Sequence, residues 1–276
     1  MDRKRETVLI TGASSGIGYE LAKIFAKNQY DLVLVARRKE KLEELKEEII
    51  KHNLKETSSI NITLIEKDLS LKEGPRQLFD TLCKKNIHID ILVNNAGIGM
   101  CGLFHEIESI KDDEMIDLNI RTVTSLTKLF AKKMIKRNSG KILNVASTGS
   151  YQPGPLIAVY YGTKAYVLSF SEALREELRP YGVSVTALCP GATKTEFASR
   201  AGKGDPIFSM TAERVANIAY KGLMKEKGVI VPGFANKMAL FLTRSIPRSF
   251  AAKVVRKWQE EAMKKAQGNT NEEITK

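Results

Sequence analysis

Short unbroken apolar runs alternate with amphipathic stretches along most of the chain. Val8, Leu9 and Ile10 form the first run, of the kind found in a parallel strand buried on both faces. It ends in Thr11-Gly12-Ala13-Ser14-Ser15-Gly16-Ile17-Gly18, after which Leu21, Ile24 and Phe25 recur at helical spacing against polar Glu20, Lys23 and Lys27. A second strand, Asp31 to Ala36, closes on Arg37-Arg38 before a charged helix with Leu42, Leu45, Ile49 and Ile50 on its apolar face. Alternation over Ile60 to Glu66 predicts a third strand, ending at Asp68-Leu69, and Leu78, Phe79 and Leu82 mark the helix after it. The next three strands are read at Asp90 to Val93, Lys141 to Ala146 and Val183 to Leu188. They end at Asn94-Asn95-Ala96-Gly97, at Ser147 and at Cys189-Pro190-Gly191. Two long helices, Asp112 to Lys136 and Leu156 to Arg179, fall between them, and Gly228 to Phe234 supplies a last strand.

Alternation this regular predicts an α/β fold with a parallel sheet and right-handed crossovers. With no internal repeat and no low-complexity linker, one domain over residues 1–235 is the simplest organisation. Residues 236–276 then form a basic, amphipathic helical extension packed on that domain, frayed from Gly268 onward. Gly12, Arg37, Asp68, Asn94, Ser147 and Pro190 all stand at the carboxyl ends of strands, where open α/β sheets bind their ligands. Each alone reads as a turn former or helix cap; together they point to a site. A strand, a glycine-rich turn and a helix start offer free backbone N–H groups and a positive helix end to a phosphate. The glycines are spaced G-x-x-x-G-x-G, which is neither G-x-G-x-x-G nor a P-loop. Gly12 suits turn angles that a side chain would block, and Gly16 and Gly18 let backbone and ligand come close.

The net charge of +12 changes this picture little, because the lysines and arginines are mostly interleaved with glutamates, as over Lys39 to His52. No aromatic-studded basic patch stands out, so nucleic acid is not an expected partner. Cys83, Cys101 and Cys189 form no C-x-x-C, which suits free thiols in a reducing compartment, and the three histidines are too scattered for a metal site. The first strand follows Met1 to Glu6 directly, leaving no room for a signal peptide, and the uncharged stretch from Ile142 to Thr163 is too broken by Gly, Pro, Gln and Asn to cross a membrane. A cytoplasmic location is expected.

The residues T-G-x-x-x-G-x-G (Thr11 to Gly18), N-N-A-G (Asn94 to Gly97), Asn119, Ser147, Y-x-x-x-K (Tyr160 to Lys164) and P-G (Pro190-Gly191) follow one another in a familiar order. In this the chain resembles the short-chain dehydrogenase/reductase family, over nearly all its length except the extension. The resemblance implies a single-domain, doubly wound, Rossmann-like sheet with helices on both faces. It also implies a nicotinamide cofactor and interconversion of a carbonyl and an alcohol by hydride transfer. Cofactor contacts carried over by position are Gly12, Ser14, Ser15, Gly16, Ile17, Gly18, Asp68, Leu69, Asn95, Ala96, Gly97, Tyr160, Lys164, Pro190, Gly191, Thr193 and Thr195. Of these, Asp68 would meet the adenine amino group and Thr195 the carboxamide.

The chemistry follows from the groups themselves. Tyr160 and Lys164 share a helix face. A free phenol, with a pKa near ~10, hardly ionises at neutral pH, and a neighbouring ammonium favours its phenolate. Ser147 can donate to a carbonyl oxygen as charge develops there. Helix geometry does not by itself choose Tyr160 over Tyr161; the family spacing does, with Tyr160 as general acid/base. The resemblance further implies that Lys164 also holds the nicotinamide ribose and that Asn119, at an opening in its helix, anchors a proton-relaying water. It implies too that the two long helices pair into a homodimer or homotetramer. A cofactor-binding regulator of the same fold without turnover is the alternative, but it would be expected to have lost part of this tetrad.

Two features bear on ligands. NAD-dependent enzymes tend to carry an acidic residue after the second strand, whereas this chain has Ala36-Arg37-Arg38 and no carboxylate before Glu40. A guanidinium can grip a 2′-phosphate, so NADP(H) is expected, with Arg37 as the main grip and Arg38 in reserve. Met100, Leu103, Phe104, Tyr151, Phe197, Ile207, Phe208 and Met210 offer apolar walls, with Arg200 and Lys203 as nearby cations, and favour an apolar ketone or aldehyde. The extension packs over the substrate pocket or a subunit partner, or lies on an anionic membrane surface.

Overall fold

The computed structural model describes residues 5–53, 60–202, 209–244 and 246–274. Seven parallel strands form one sheet: β1 (Thr7–Thr11), β2 (Asp31–Ala36), β3 (Ile62–Glu66), β4 (Ile91–Asn94), β5 (Gly140–Val145), β6 (Val183–Leu188) and β9 (Val229–Ile230). Their order across the sheet is β3-β2-β1-β4-β5-β6-β9. A separate parallel pair, β7 (Thr193–Lys194) with β8 (Met210–Thr211), brackets the loop after β6. The helices are α1 (Gly16–Lys27), α2 (Lys39–Asn53), α3 (Gly74–Lys84), α4 (Ser109–Ile116), α5 (Val123–Lys136), α6 (Ala158–Leu178), α7 (Phe197–Arg200), α8 (Ala212–Met224), α9 (Phe234–Arg244) and α10 (Arg248–Ile274).

Strand periodicity divides the core in two. Val8 and Ile10 of β1 face Leu21 and Phe25 of α1, Leu42 and Leu45 of α2 and Val215 and Leu223 of α8. Leu9, with Val33 and Val35 of β2, packs on the other side with Leu78 and Leu82 of α3 and Leu126 and Phe130 of α5. Helices therefore cover both faces, as in a doubly wound sheet, which explains why β1 and β2 carry unbroken apolar runs.

The boundaries differ from the sequence expectation in a few places. The third strand starts at Ile62, because Asn61 is already tied by its N–H and its amide to the Asp31 carboxylate, at 2.8 and 3.1 Å. Helix α6 starts at Ala158 instead of Leu156, whose φ of 65° is left-handed and cannot continue into a helix. The last strand shrinks to Val229–Ile230, and Phe234 already opens α9. The first long helix begins earlier, at Ser109, and is interrupted: Asp117–Thr122 is a π-helical segment joining α4 to α5. The β7–β8 pair was not foreseen, since two-residue strands leave no periodicity to read.

Candidate active site

The strand order reverses between β1 and β4, and a cleft of about 1290 Å³ opens over the carboxyl ends of the strands there. Gly12 has a φ of +66°, and a Cβ on it would fall 2.8 Å from Ala96 Cα. Only glycine allows the turn after β1 to fold down onto the segment after β4 in this way. The two segments are one unit. Thr11 Oγ1 donates to the Val93 carbonyl at 3.2 Å and accepts from the Asn95 and Ala96 N–H groups at 3.0 and 3.1 Å. The Asn95 amide donates back to the Thr11 and Gly12 carbonyls, both at 3.0 Å. Helix α1 starts at Gly16 with no side-chain cap, which leaves its first N–H groups to a ligand. Gly12, Ser14, Ser15, Gly16, Ile17, Asn95, Ala96 and Gly97 all line the cleft. Gly18 does not: a Cβ there would fall 2.4 Å from the Asn95 amide nitrogen, so its smallness serves packing of α1 behind the turn.

Arg37 and Arg38 line the same end, with Asp68 and Leu69. The two arginines are placed differently. Arg37, 61% exposed, lies 3.7 Å from the Asp68 carboxylate. Arg38 reaches over the glycine turn to Ser14 Oγ at 3.2 Å and pairs with Glu196 at 2.9 Å. Partial burial pushes the Asp68 carboxyl up, but bonds from Ser70 and the Arg37 charge outweigh it and hold it below its ordinary value. Glu196 is likewise held low against its desolvation by Arg38 and Arg200.

At the middle of the cleft, α6 and the end of β5 bring Ser147, Tyr160 and Lys164 together. Ser147 caps a short 3₁₀ turn, accepting from the Gly149 N–H at 3.0 Å, and its hydroxyl stands beside the Tyr160 phenol, where it favours the phenolate. Lys164 is 4% exposed; its Nζ donates to the Val145 carbonyl at 2.8 Å and stands 5.7 Å from the centre of the Tyr160 ring. Burial pushes the Tyr160 phenol well above its ordinary range, with Ser147 pulling the other way. The same desolvation brings Lys164 down to about 8. Asn119 sits in the π-helical segment, fully buried. Its Oδ1 accepts from the Ile98 N–H at 3.0 Å, and its Nδ2 donates to the Ile98 carbonyl at 2.9 Å and to Thr163 Oγ1 at 3.0 Å. It thus ties the segment after β4 to α6, behind the cleft wall. Gly97 completes the fit, since a Cβ there would come within 3.1 Å of Asn119 Oδ1 and 3.2 Å of Lys164 Nζ.

Tyr161 is wedged against Gly149 and Gly154, where added Cβ atoms would fall 2.8 and 2.4 Å from its ring, and its hydroxyl stands near Gln259 of α10. Its ring is chiefly packed, although Tyr161 also lines the cleft. Pro190, Gly191, Thr193 and Thr195 line the cleft beyond Tyr160. Of the expected apolar walls, Met100 and Phe197 are in place, the Phe197 ring centre 5.2 Å from that of Tyr160, and Arg200 also borders the cleft. Leu103 and Phe104 are instead largely exposed, Tyr151 turns its hydroxyl to Cys189 Sγ, and none of the three lines this cleft, nor does Met210. Lys203, Ile207 and Phe208 lie outside the described residues. What the motifs did not name is the roof: Asn236, Ala239, Leu240 and Thr243 of α9 and Trp258 and Gln259 of α10. The only trace of it in the sequence is the helical spacing of Asn236, Leu240 and Thr243 on a face distinct from that of Phe234, Met238 and Phe241.

Comparison with known proteins agrees with this architecture. Residues 6–205 match the family model for short chain dehydrogenase. An 11-beta-hydroxysteroid dehydrogenase-like protein of Arabidopsis thaliana is 33% identical over 79% of this chain and 70% of its own length. A short-chain dehydrogenase from Sphingobium yanoikuyae, solved in complex with NADPH, is 33% identical, with a TM-score of 0.78 over 87% of this chain and 94% of that one. The bulky-bulky ketone specific alcohol dehydrogenase from Comamonas testosteroni is 29% identical, with a TM-score of 0.75 over 88% of this chain and 93% of that one. The chain therefore belongs to the short-chain dehydrogenase/reductase family, oxidoreductases that act on alcohol and carbonyl groups with a nicotinamide cofactor.

Proposed function

We propose that this protein is an NADP(H)-dependent enzyme that interconverts a bulky, largely apolar ketone or aldehyde with its alcohol. The observation that carries the reading is one continuous cleft with Ser147, Tyr160 and Lys164 at its middle and Arg37 and Arg38, with no carboxylate on that strand end, at one extremity. The residues fit a dinucleotide phosphate. An uncapped helix start faces the cleft, and Arg38 with Ser14 Oγ and Arg37 nearby offers donors for a 2′-phosphate. Asp68 is ionised and positioned as an acceptor.

Bound NADPH would supply the hydride for the carbonyl carbon. The protein's part is the proton and the charge. Tyr160, kept protonated by its desolvated setting, donates to the carbonyl oxygen while the Ser147 hydroxyl steadies the same oxygen. Lys164 offsets the phenolate that is left behind. Asn119 is a positioning residue, since its amide groups are taken up by Ile98 and Thr163 and it fixes Gly97 beside Lys164. Support for the size and polarity of the substrate comes from the roof, where Ala239, Leu240 and Trp258 face the cleft, and from the similarity to an enzyme specific for bulky-bulky ketones. The similarity to a dehydrogenase solved with NADPH supports the cofactor.

The test is a panel of ketones and aldehydes, bulky and small, with NADPH or NADH, read by loss of cofactor absorbance. Turnover with NADPH is expected to be at least about tenfold more efficient than with NADH, the margin of a charge-assisted phosphate grip, and to favour bulky apolar ketones over small keto acids. Tight NADPH binding with no turnover on any carbonyl would support a regulator, and preference for NADH would overturn the assignment of the arginines.

A further inference from the structure

We infer that the outer face of α9, with the adjoining edge of α10, docks on an anionic membrane surface. Both helices have a spent face and an open one. Leu240 of α9 and Ala251, Val255 and Gln259 of α10 are buried against the domain. Opposite them, Phe234, Met238, Phe241 and Leu242 recur at i, i+4, i+7 and i+8 and are 78%, 41%, 66% and 59% exposed. Phe250 of α10 adds a side chain that is 55% exposed, and Trp258, 61% exposed, stands at the rim where this face meets the cleft. Five large apolar side chains thus face solvent away from the cleft within one short part of the chain, with Trp258 at its rim, a density that an ordinary surface does not show.

The charge around them selects the occupant. Between Phe234 and Lys264 the sequence carries seven lysines and arginines against two glutamates. Lys237, Arg248, Lys253 and Lys257 are exposed, and of the described basic side chains here only Arg256 is ion-paired, with Glu260 at 2.9 Å. A second copy of this face would set like charges against each other, which disfavours self-association. A lipid surface with anionic headgroups meets both demands, taking the aromatic side chains among its acyl chains and the cations at its headgroups. Among the described residues no helix is long and apolar enough to cross a membrane, so the helices would lie in the interface. Because α9 also lines the cleft through Asn236, Leu240 and Thr243, docking would set the substrate entrance beside the lipid, a natural source of bulky apolar carbonyl compounds.

The chain has a single tryptophan, Trp258, at the rim between this face and the cleft, so with no substrate or cofactor added its emission reports on the contact. The protein is mixed with vesicles of phosphatidylcholine alone or of an equimolar mixture with phosphatidylglycerol. Co-sedimentation with the anionic vesicles, a blue shift of Trp258 emission and its quenching by brominated acyl chains are expected, all weakened by salt. The double variant Phe241→Glu, Leu242→Glu should lose about tenfold or more in vesicle affinity while keeping its melting temperature and its turnover of a water-soluble ketone. Failure of the wild type to bind either vesicle, or equal binding by the double variant, would overturn the proposal. So would a dimer that the same variant dissociates in the absence of vesicle binding, which would assign the face to a second copy.

Discussion

The two ends of the cleft are built in opposite ways. The cofactor end is made of short segments at the carboxyl ends of β1, β2 and β4, whose backbones are laced together by the Thr11 hydroxyl and the Asn95 amide. The large side chains that matter there are Arg37 and Arg38, at the far extremity. The substrate end is made of side-chain volume: Met115 from α4, Phe197 from α7, Leu240 from α9 and Trp258 from α10, drawn from elements far apart in the chain. A backbone cradle tolerates few residue types, so it fixes what is bound. A wall of side chains can be re-cut one residue at a time, so it sets only how well a given substrate fits.

The largest effect is expected where the two ends meet. Tyr160→Phe keeps the ring against Phe197 but removes the proton, and kcat should fall by about 10²–10⁴-fold with NADPH binding preserved. Tyr161→Phe should stay within a few-fold of wild type, since its ring is packed against Gly149 and Gly154. Turnover and cofactor titration of the two variants decide the matter, and a reversal of their behaviour would move the reaction onto the neighbouring tyrosine.

Lys164 links catalysis to stability. Burial lowers its folded value to about 8, below the ~10.4 of an unfolded chain, so the folded state carries a penalty for the charge. That penalty is fully present below about pH 8 and fades as pH rises toward ~10.4, so wild-type stability should increase across that window, by at most about 3 kcal/mol. Lys164→Met should melt above wild type at neutral pH and lose this slope, while its activity collapses. In the wild type, kcat/KM for reduction should fall as pH rises through about 8, because the phenolate loses its neighbouring ammonium. Paired thermal melts and pH–rate profiles would show both limbs.

The same contrast decided what could be read from the sequence. Gly12, Ser147 and Pro190 were legible because strand ends and turn residues are local signals, and Tyr160 because six motifs in order resemble a known family. Asn119 was placed at an opening in its helix by that resemblance, whereas no periodicity reveals that Asp117–Thr122 is π-helical. The roof was not legible. Leu240 and Gln259 look like any positions on amphipathic helices until tertiary packing turns them over the cleft. Leu103 and Phe104 mislead for the reverse reason, since a large apolar residue near a motif need not face inward.

A smaller effect is expected at the cofactor extremity. Arg38 is held against Ser14 and Glu196, while Arg37 is more exposed and lies beside Asp68. Charge-assisted bonds of a guanidinium to phosphate are worth about 1.5–3 kcal/mol, one to two decades in affinity. Arg37→Asp and Arg38→Ala should therefore each shift the NADPH/NADH ratio of kcat/KM toward NADH, the former more because it also adds repulsion. Glu196→Gln releases Arg38 from a partner at the cleft mouth and should tighten NADPH by less than about tenfold, the scale of a partly exposed ion pair. An unchanged ratio in both arginine variants would leave them as the start of a solvated helix.

The smallest effect belongs to the roof and tests whether the substrate end is independent of the cofactor end. Ala239 of α9 lines the cleft and is itself exposed, so a larger side chain there intrudes on bound substrate without displacing anything from the core. Ala239→Phe should raise KM for a bulky ketone by about three- to tenfold, the range expected for steric discrimination in an apolar pocket. KM for a small ketone, the NADPH dissociation constant and the melting temperature should not move, because the cradle of Thr11, Gly12 and Asn95 makes no use of α9. The informative quantity is the ratio of kcat/KM for the two ketones at saturating NADPH. If the substitution weakened NADPH as much as it weakened the bulky ketone, the two ends would be mechanically coupled through α9, and the division of the cleft into a fixed cradle and an adjustable wall would fail.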